Sequence, residues 1–109
     1  IVFTFKSLHP KWSFAKVNDH GVVVQVAEKN PISDTATCGI YYYRRGSDFV
    51  QGAEQMIRDK KRVNNEYYIC PVYNELIDDG KILVPFYVHK MHGIGTPEDL
   101  RAYLKYVES

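Results

Sequence analysis

The chain has 109 residues, of which 45% are hydrophobic and 25% charged, and its formal net charge is +1. This composition is typical of one globular domain, large enough for a core but short for a complete enzyme. A net charge near zero gives no electrostatic reason to expect nucleic acid as a partner. No apolar stretch is long enough to span a bilayer and no signal-peptide pattern is present, so we expect a cytoplasmic protein without a membrane partner.

The first half of the chain is predicted to be mainly strands. Ile1–Lys6 is the first, and Trp12–Val17 and Val22–Ala27 are predicted to form a hairpin around a turn that contains Asn, Asp and Gly. A further strand is predicted over Thr37–Tyr43, which is rich in β-branched and aromatic residues. Gly39 weakens that strand unless something approaches its backbone closely.

Two helices are predicted next. The first has Ser47 as its N-cap and runs to about Lys60. Its buried face is predicted to carry the apolar residues that repeat at helical spacing, Phe49, Val50, Ala53, Met56 and Ile57. We interpret Met56 as core filler. The second helix has Pro71 at its first position and is closed by Gly80.

The chain ends with a predicted strand and a third helix. The strand covers Lys81–Val88, where Pro85 indicates an edge or a bulge. The helix has Thr96 as its N-cap and Pro97 at its first position, and its apolar face carries Leu100, Tyr103, Leu104 and Val107. Strands grouped early and helices interspersed later predict a layered α/β fold with a mixed sheet.

No catalytic centre can be assigned from short motifs. Cys38 and Cys70 lie far apart without metal-ligand spacing, and the four histidines form no metal motif. We expect both cysteines to be reduced, buried thiols. The chain also has no Ser–His–Asp set and no Walker-type phosphate loop.

The adjacent Glu28 and Lys29 are the first candidate site. They follow a predicted strand and precede the turn-forming segment Asn30–Asp34. An acid and a base at a strand end suit a polar, hydroxyl-rich ligand. On spacing alone, a surface ion pair in a connecting loop is the more common outcome.

Two later stretches are further candidates. In Met91–Leu100, two glycines and a Thr precede a helix, where the backbone can approach a ligand. Helix capping explains that pattern equally well. In Asn64–Tyr68, a carboxylate between amides and aromatic rings suits a sugar, whose hydroxyls it can bind. The alternative is a loop carboxylate over a tyrosine-rich strand.

Four segments of the chain carry a further signal: KWSFAKVNDHGVVVQVAEKNP, ATCGIYYY, NNEYYICPVYNELI and GIGTPEDL. Taken together and in this order, they resemble the sugar-phosphate nucleotidyltransferases, the NDP-sugar pyrophosphorylases. The resemblance is strongest to the bacterial enzymes of capsule and surface-polysaccharide synthesis. It implies a Rossmann-like, GT-A-like α/β/α sandwich. It also implies a reaction between a sugar 1-phosphate and a nucleoside triphosphate that releases pyrophosphate with the help of Mg²⁺.

The resemblance implies that residues 1–109 are one fragment, the sugar-phosphate-binding second half of such a domain. The chain opens on Ile1 with no initiator Met, which suits a piece of a longer protein. The nucleotide-binding half would then be absent, so we expect no turnover and no bound Mg²⁺ in this chain alone. We also expect homo-oligomers, since a fragment exposes an unpaired sheet edge.

The resemblance assigns roles position by position. It implies that Glu28 binds sugar hydroxyls and that Lys29 neutralises the sugar phosphate. Ser13 stands where the family usually has a Gly lining the sugar pocket. The remaining matches are Thr37 beside the pocket, Gly39 in the strand under the sugar, and Glu66 in the Gly-Glu-aromatic stretch.

Two positions depart from the family pattern. The family commonly has Trp-x-Asp-x-Gly-Thr, with the Asp as a metal ligand, in a loop that corresponds to Gly93, Gly95 and Thr96 here. Gly93 occupies the Asp position and has no side chain with which to bind metal. Cys70–Pro71 likewise stands where the family has Thr-Asp.

Two alternatives to a nucleotidyltransferase therefore stay open. One is a non-catalytic module that binds a sugar phosphate or nucleotide sugar. The other is a glycosyltransferase-related domain, although its Asp-x-Asp metal motif does not occur in this sequence.

Overall fold

The polypeptide folds into five strands and three helices, which the computed structural model describes over residues 1–109. The strands are β1 (Val2–Lys6), β2 (Ser13–Val17), β3 (Val23–Glu28), β4 (Thr35–Tyr41) and β5 (Pro85–Tyr87). The helices are α1 (Gly46–Arg58), α2 (Val72–Asp78) and α3 (Pro97–Glu108). The predicted mixed α/β class is confirmed.

The strands form one curled, mixed sheet in the order β3-β2-β4-β1-β5. β2 and β3 form the predicted antiparallel hairpin, β4 runs antiparallel to β1, and β5 runs parallel to β1. β2 and β4 share only the pair Phe14–Ala36. The two edges of the sheet approach each other, because the N–H of Val23 in β3 donates to the carbonyl of Leu83 just before β5, at 2.8 Å.

The main core lies between the sheet and the helices α1 and α2. Its ten buried residues are Val2, Ala15, Val23, Val26, Met56, Cys70, Val72, Tyr73, Leu76 and Leu83. Full burial of a valine, leucine or methionine side chain contributes about 1.5–3 kcal/mol to folding. Met56 is only 3% exposed, so its interpretation as core filler is confirmed.

The start of α1 differs from the prediction. The helix begins at Gly46 with Arg45 as its N-cap, and no side chain caps it. The first turn is instead closed by backbone, since the Asp48 N–H donates to the Arg45 carbonyl at 3.0 Å. Val50 and Ile57 were predicted on the buried face but are 51% and 52% exposed, because the inward line of the helix runs through Gly52 and Met56.

Both α1 and α2 end in a Schellman motif. After α2, the N–H groups of Gly80 and Lys81 donate to the carbonyls of Ile77 and Leu76. Gly80 has a φ of +82°, which explains why a glycine closes this helix as predicted. Lys60 occupies the equivalent position after α1 and also has a left-handed backbone conformation, with a φ of +55°.

Two strands differ from their predicted bounds: β4 is shifted along the sequence, and β5 is shorter than predicted. The strand predicted over Thr37–Tyr43 lies at Thr35–Tyr41, because Thr35 and Ala36 pair with β1 while Tyr43 turns away to stack on Tyr73. The predicted strand Lys81–Val88 is only three residues long. It lies at the sheet edge, as its proline indicated.

α3 begins as predicted. Thr96 is its N-cap, with its hydroxyl accepting the Asp99 N–H at 3.1 Å. No residue of this helix is buried, and Leu100, Leu104 and Val107 of its apolar face are 45–59% exposed. None of the three helices is long and apolar enough to cross a membrane.

Gly52 fixes the close approach of α1 and α2 and allows a test of the fold. A Cβ at Gly52 would lie 2.9 Å from both Leu76 Cδ1 and Val72 Cγ1, whereas one at Gly46 would meet nothing within 4 Å. We predict that Gly52→Ala lowers the free energy of unfolding. Overpacking costs about 1–3 kcal/mol, against a gain in helix propensity of about 1 kcal/mol.

Urea unfolding of the two glycine variants checks this prediction. Gly46→Ala is the matched control and should leave the stability unchanged or raise it slightly. An equal rise in both variants would show that α1 and α2 do not pack as closely as described.

Candidate functional site

The β2–β3 hairpin brings Ser13 and Glu28 together. They are directly opposed in the antiparallel register, and the Ser13 hydroxyl donates a hydrogen bond to the Glu28 carboxylate. Directly opposed residues of neighbouring strands project from the same face, which explains the contact. Ser13 is 7% exposed and Glu28 is half-buried. The hairpin therefore holds one oxygen of the carboxylate at a buried hydroxyl.

β4 and the start of α2 add more polar groups beside this pair. Burial raises the pKa of Cys70 to about 12 and also raises the pKa of Tyr41, while the hydroxyls of Ser13 and Thr37 lie close enough to oppose both increases. Thr37 is 3% exposed, and its hydroxyl makes no hydrogen bond within ordinary distance. Such a buried, unsatisfied hydroxyl is uncommon and needs an explanation.

The two cysteines differ in burial. Both are free, as predicted, and Cys70 is fully buried. Cys38 is only partly buried, since it lies in β4 beyond the single residue pair that joins β4 to β2. At neutral pH Cys70 is a protonated thiol among the hydroxyls beside Glu28, because thiolate forms only above its raised pKa.

Lys29 is held at both its backbone and its side chain. Its N–H donates to the carbonyl of Trp12 at 2.9 Å, and its Nζ donates to the Tyr68 hydroxyl at 2.9 Å. The bond to Tyr68 and the nearby carboxylates Glu28 and Glu66 raise the pKa of Lys29 above its ordinary value of 10.5. The side chain is therefore a fixed cation at neutral pH.

The left-handed backbone of Lys29 is a second sign of a constrained site. Its φ is +56°. The other non-glycine residues with positive φ have local reasons: Lys60 ends a helix, and Asn64 and Asn65 form the tight turn that pairs Val63 with Glu66. Lys29 instead lies directly after the last residue of β3, and conformations of this kind concentrate at functional sites.

Glu28 and Lys29 do not form the surface ion pair that their spacing suggested. The carboxylate is engaged by Ser13 and the ammonium by Tyr68. Both residues line a cavity of about 470 Å³ between the end of β3, the loop after α1 and the start of α2. Its other polar residues are Asn30, Lys61, Arg62, Asn64, Asn74 and Glu75. The cavity thus offers a mixture of cations, amides and carboxylates to a polar ligand.

Glu66 and Gly39, the other predicted site residues of this region, differ in how close they lie to the Glu28–Lys29 pair. Glu66 is exposed on the loop that holds Tyr68, close enough to act electrostatically on Lys29. Gly39 lies in the irregular part of the β1–β4 pairing with a φ of +79°, and a Cβ there would meet nothing within 4 Å. The structure therefore explains Gly39 by a β-bulge and leaves open space beside it.

Gly93, Gly95 and Thr96 line a second cavity, of about 420 Å³, together with Lys11, Trp12 and Asp99. A Cβ at Gly93 would lie 2.7 Å from Cη2 of Trp12. The Lys11 Nζ lies 2.8 Å from Oδ1 of Asp99 and lowers the pKa of that carboxyl. Trp12 links this loop to the first cavity, since its carbonyl accepts the Lys29 N–H.

These residues do not fit the Mg²⁺ that the resemblance implies. No group of three or more His, Cys, Asp or Glu side chains is arranged to hold a metal. Asp99 is the acid beside Gly93, 3.6 Å from a Cβ built there, but its carboxylate is already bound by Lys11. We therefore assign no metal ligand to this chain.

Sequence reasoning missed the residues that hold the predicted ones in place. Tyr68 binds Lys29, Trp12 contacts Gly93, and Asn74 binds the backbone of β3. Tyr68 and Asn74 lie inside the family-like segment NNEYYICPVYNELI, but their partners are 39 and 48 residues away. Only the fold brings them together.

Comparison with known proteins identifies a similar solved structure. No family model and no curated protein matches this sequence. Among solved structures, the chain is similar to the crystal structure of the nucleoside-diphosphate-sugar pyrophosphorylase from Vibrio cholerae RC9, with 32% sequence identity and a TM-score of 0.86. The match covers 95% of this chain but 45% of that one. The predicted nucleotidyltransferase-like fold is confirmed, and the chain spans less than half the length of its neighbour.

The contact between Gly93 and Trp12 yields a prediction that fluorescence can check. Trp12 is the only tryptophan in the chain, so its emission reports directly on its surroundings. We predict that Gly93→Ala displaces the indole ring and shifts the emission maximum, because the added methyl overlaps Cη2.

Gly95→Ala is the matched control, since a Cβ at Gly95 would meet nothing within 4 Å. Its spectrum should match that of the wild type. A Gly93→Ala spectrum identical to both would contradict the described packing of this loop.

Proposed function

We propose that the chain is the sugar-phosphate-binding part of a nucleotidyltransferase, which joins a sugar 1-phosphate to a nucleoside triphosphate. The observation that carries the proposal is the arrangement at the end of β3. Glu28 and Lys29 are adjacent in sequence, are held by different partners, and line one cavity. The similarity in fold and sequence to an NDP-sugar pyrophosphorylase supports the choice of reaction.

Glu28 is suited to bind sugar hydroxyls. Ser13 donates to one carboxylate oxygen and fixes the orientation of the group, which leaves lone pairs on the other oxygen for a ligand. The buried hydroxyl of Thr37 lies in the same neighbourhood without a partner. This hydroxyl is fully buried and is not among the groups that line the cavity, so the argument for a polyhydroxylated ligand rests on Glu28.

Lys29 is suited to bind the phosphate. The bond from Nζ to the Tyr68 hydroxyl orders the end of the exposed side chain, which reduces the freedom it loses when a ligand binds. A cation with a raised pKa stays charged over the whole physiological range. Asn64 and Arg62 add an amide and a further cation to the same cavity.

In the proposed reaction, a phosphate oxygen of the sugar 1-phosphate forms a bond to the α-phosphorus of the triphosphate. The bond between that phosphorus and the oxygen bridging to the β-phosphate breaks, and pyrophosphate leaves. Lys29 holds the attacking phosphate and offsets its charge, while Glu28 orients the sugar. No group for the triphosphate is assigned within these residues, so we propose catalysis only for a protein that supplies one.

The resemblance of the four sequence segments supports a finer proposal. The nucleotide sugar would serve bacterial surface-polysaccharide synthesis, and the enzyme would act in the cytoplasm with Mg²⁺ bound outside these residues. A second candidate is a non-catalytic module that binds a sugar phosphate. Gly93 favours it, because the loop carries no carboxylate at that position and its neighbour Asp99 is bound to Lys11.

Two substitutions test the roles of Glu28 and Lys29. In a protein with measurable turnover, we predict that Glu28→Gln and Lys29→Ala each raise KM for the sugar 1-phosphate by roughly tenfold to hundredfold. This is the loss of a charged hydrogen bond worth about 1.5–3 kcal/mol. KM for the nucleoside triphosphate should stay within about twofold of the wild type.

Lys16→Ala is the matched control, because Lys16 is an exposed lysine on β2 of the same hairpin. It should change neither constant. Wild-type kinetics for the sugar phosphate in both site variants would refute the assignment. For the binding-module candidate, the same two substitutions should weaken sugar-phosphate binding while no pyrophosphate is released by any form.

A further inference from the structure

Asn74 on α2 is bonded to the backbone of β3 in a way that imitates a neighbouring strand. The Val26 N–H donates to Asn74 Oδ1 at 2.9 Å, and Asn74 Nδ2 donates to the Val26 carbonyl at 2.8 Å. β3 is the edge of the sheet, and Val26 is only 1% exposed. Without Asn74, both buried backbone groups would lose their partner, which the structure can avoid only by moving the strand.

Glu75, the residue after Asn74 on α2, is bonded to the loop after α1, on the other side of the cavity. Glu75 is 5% exposed and accepts a hydrogen bond from Lys61 Nζ at 2.8 Å. Lys61 lies at the start of the loop that carries Tyr68, the partner of Lys29. Two consecutive side chains of one short helix thus join the strand that carries Glu28 to the loop that holds Lys29.

We propose that Asn74 is a positioning residue for the Glu28–Lys29 site. The inference rests on the proposed function and extends it to a side chain that need not touch the ligand. Val26 lies two residues before Glu28 on the same strand, so the amide clamp fixes where β3 ends. The register that puts Glu28 opposite Ser13, and the Lys29 N–H on the Trp12 carbonyl, depends on that end staying in place.

Amide hydrogen exchange tests the clamp without any ligand. We expect Asn74→Ala to speed exchange at least tenfold at the amides of Val26 and Lys29, while β1 and α1 keep their protection. Gln25→Ala is the matched control, because it removes an exposed amide side chain from the same strand. It should leave the protection of both amides unchanged.

Binding of glucose 1-phosphate and mannose 1-phosphate, measured by calorimetry, tests the consequence for the site. We expect Asn74→Ala to weaken binding about tenfold in the wild-type background. In the Glu28→Gln, Lys29→Ala background the same substitution should change binding by less than about twofold, because a residue that acts through those side chains has no effect once they are lost.

The outcomes separate this inference from the proposed function. Faster exchange confined to the end of β3, with the tenfold loss abolished in the doubly substituted background, supports the positioning role. Uniformly faster exchange, or an equal loss of binding in both backgrounds, shows a merely structural residue and overturns the inference. If the wild type binds neither sugar phosphate, the proposed function fails, and unchanged exchange at Val26 and Lys29 would independently overturn the clamp.

Discussion

The register of the β2–β3 hairpin is the constraint on which the candidate site depends. It sets Ser13 opposite Glu28 and delivers the N–H of Lys29 to the carbonyl of Trp12. The turn closes the hairpin, since Asn18 Oδ1 accepts the N–H groups of both His20 and Val22, and an irregularity between Lys16 and Val17 then shifts the pairing into the register seen at Ser13 and Glu28. A slip of one residue would turn Glu28 to the opposite face of the sheet.

Long-range contacts then convert this hairpin end into a cavity. α2 holds β3 through Asn74, and the loop after α1 returns Tyr68 to Lys29. On the other side, the Trp12 ring lies against Gly93 and explains why that position has no side chain. The acid and the cation are therefore each bonded to a partner of their own and do not form a direct ion pair. This arrangement suits the proposed ligand, which carries both hydroxyls and a phosphate.

Local signals in the sequence predicted the local features of the fold. The hairpin turn, the start of α3 at Thr96 and the closure of α2 by Gly80 were all predicted correctly, because each depends on a few neighbouring residues. The start of α1 was wrong, since backbone closes its first turn and Ser47 does not cap it. The exposure of Val50 and Ile57 was wrong as well, because which side of a helix packs is decided by its neighbours.

The candidate site was likewise only partly predictable from the sequence. Adjacency in the sequence identified Glu28 and Lys29 as a candidate pair, but it predicted an ion pair that the structure does not form. The lysine's actual partner is 39 residues away, and the Lys11–Asp99 contact spans 88 residues. No spacing rule indicates such pairs. The unsatisfied hydroxyl of Thr37 could be recognised only once its burial was known.

The most direct measurement is a titration of the ¹⁵N-labelled chain with glucose 1-phosphate and mannose 1-phosphate, followed by NMR chemical shifts, with inorganic phosphate as the control. Our account predicts saturable shifts for at least one of the two, centred on Ser13, Glu28, Lys29 and Thr37. Inorganic phosphate should perturb Lys29 and bind more weakly, because it lacks the sugar hydroxyls. Shifts that avoid the end of β3, or equal responses to sugar phosphate and inorganic phosphate, would contradict a sugar-phosphate site.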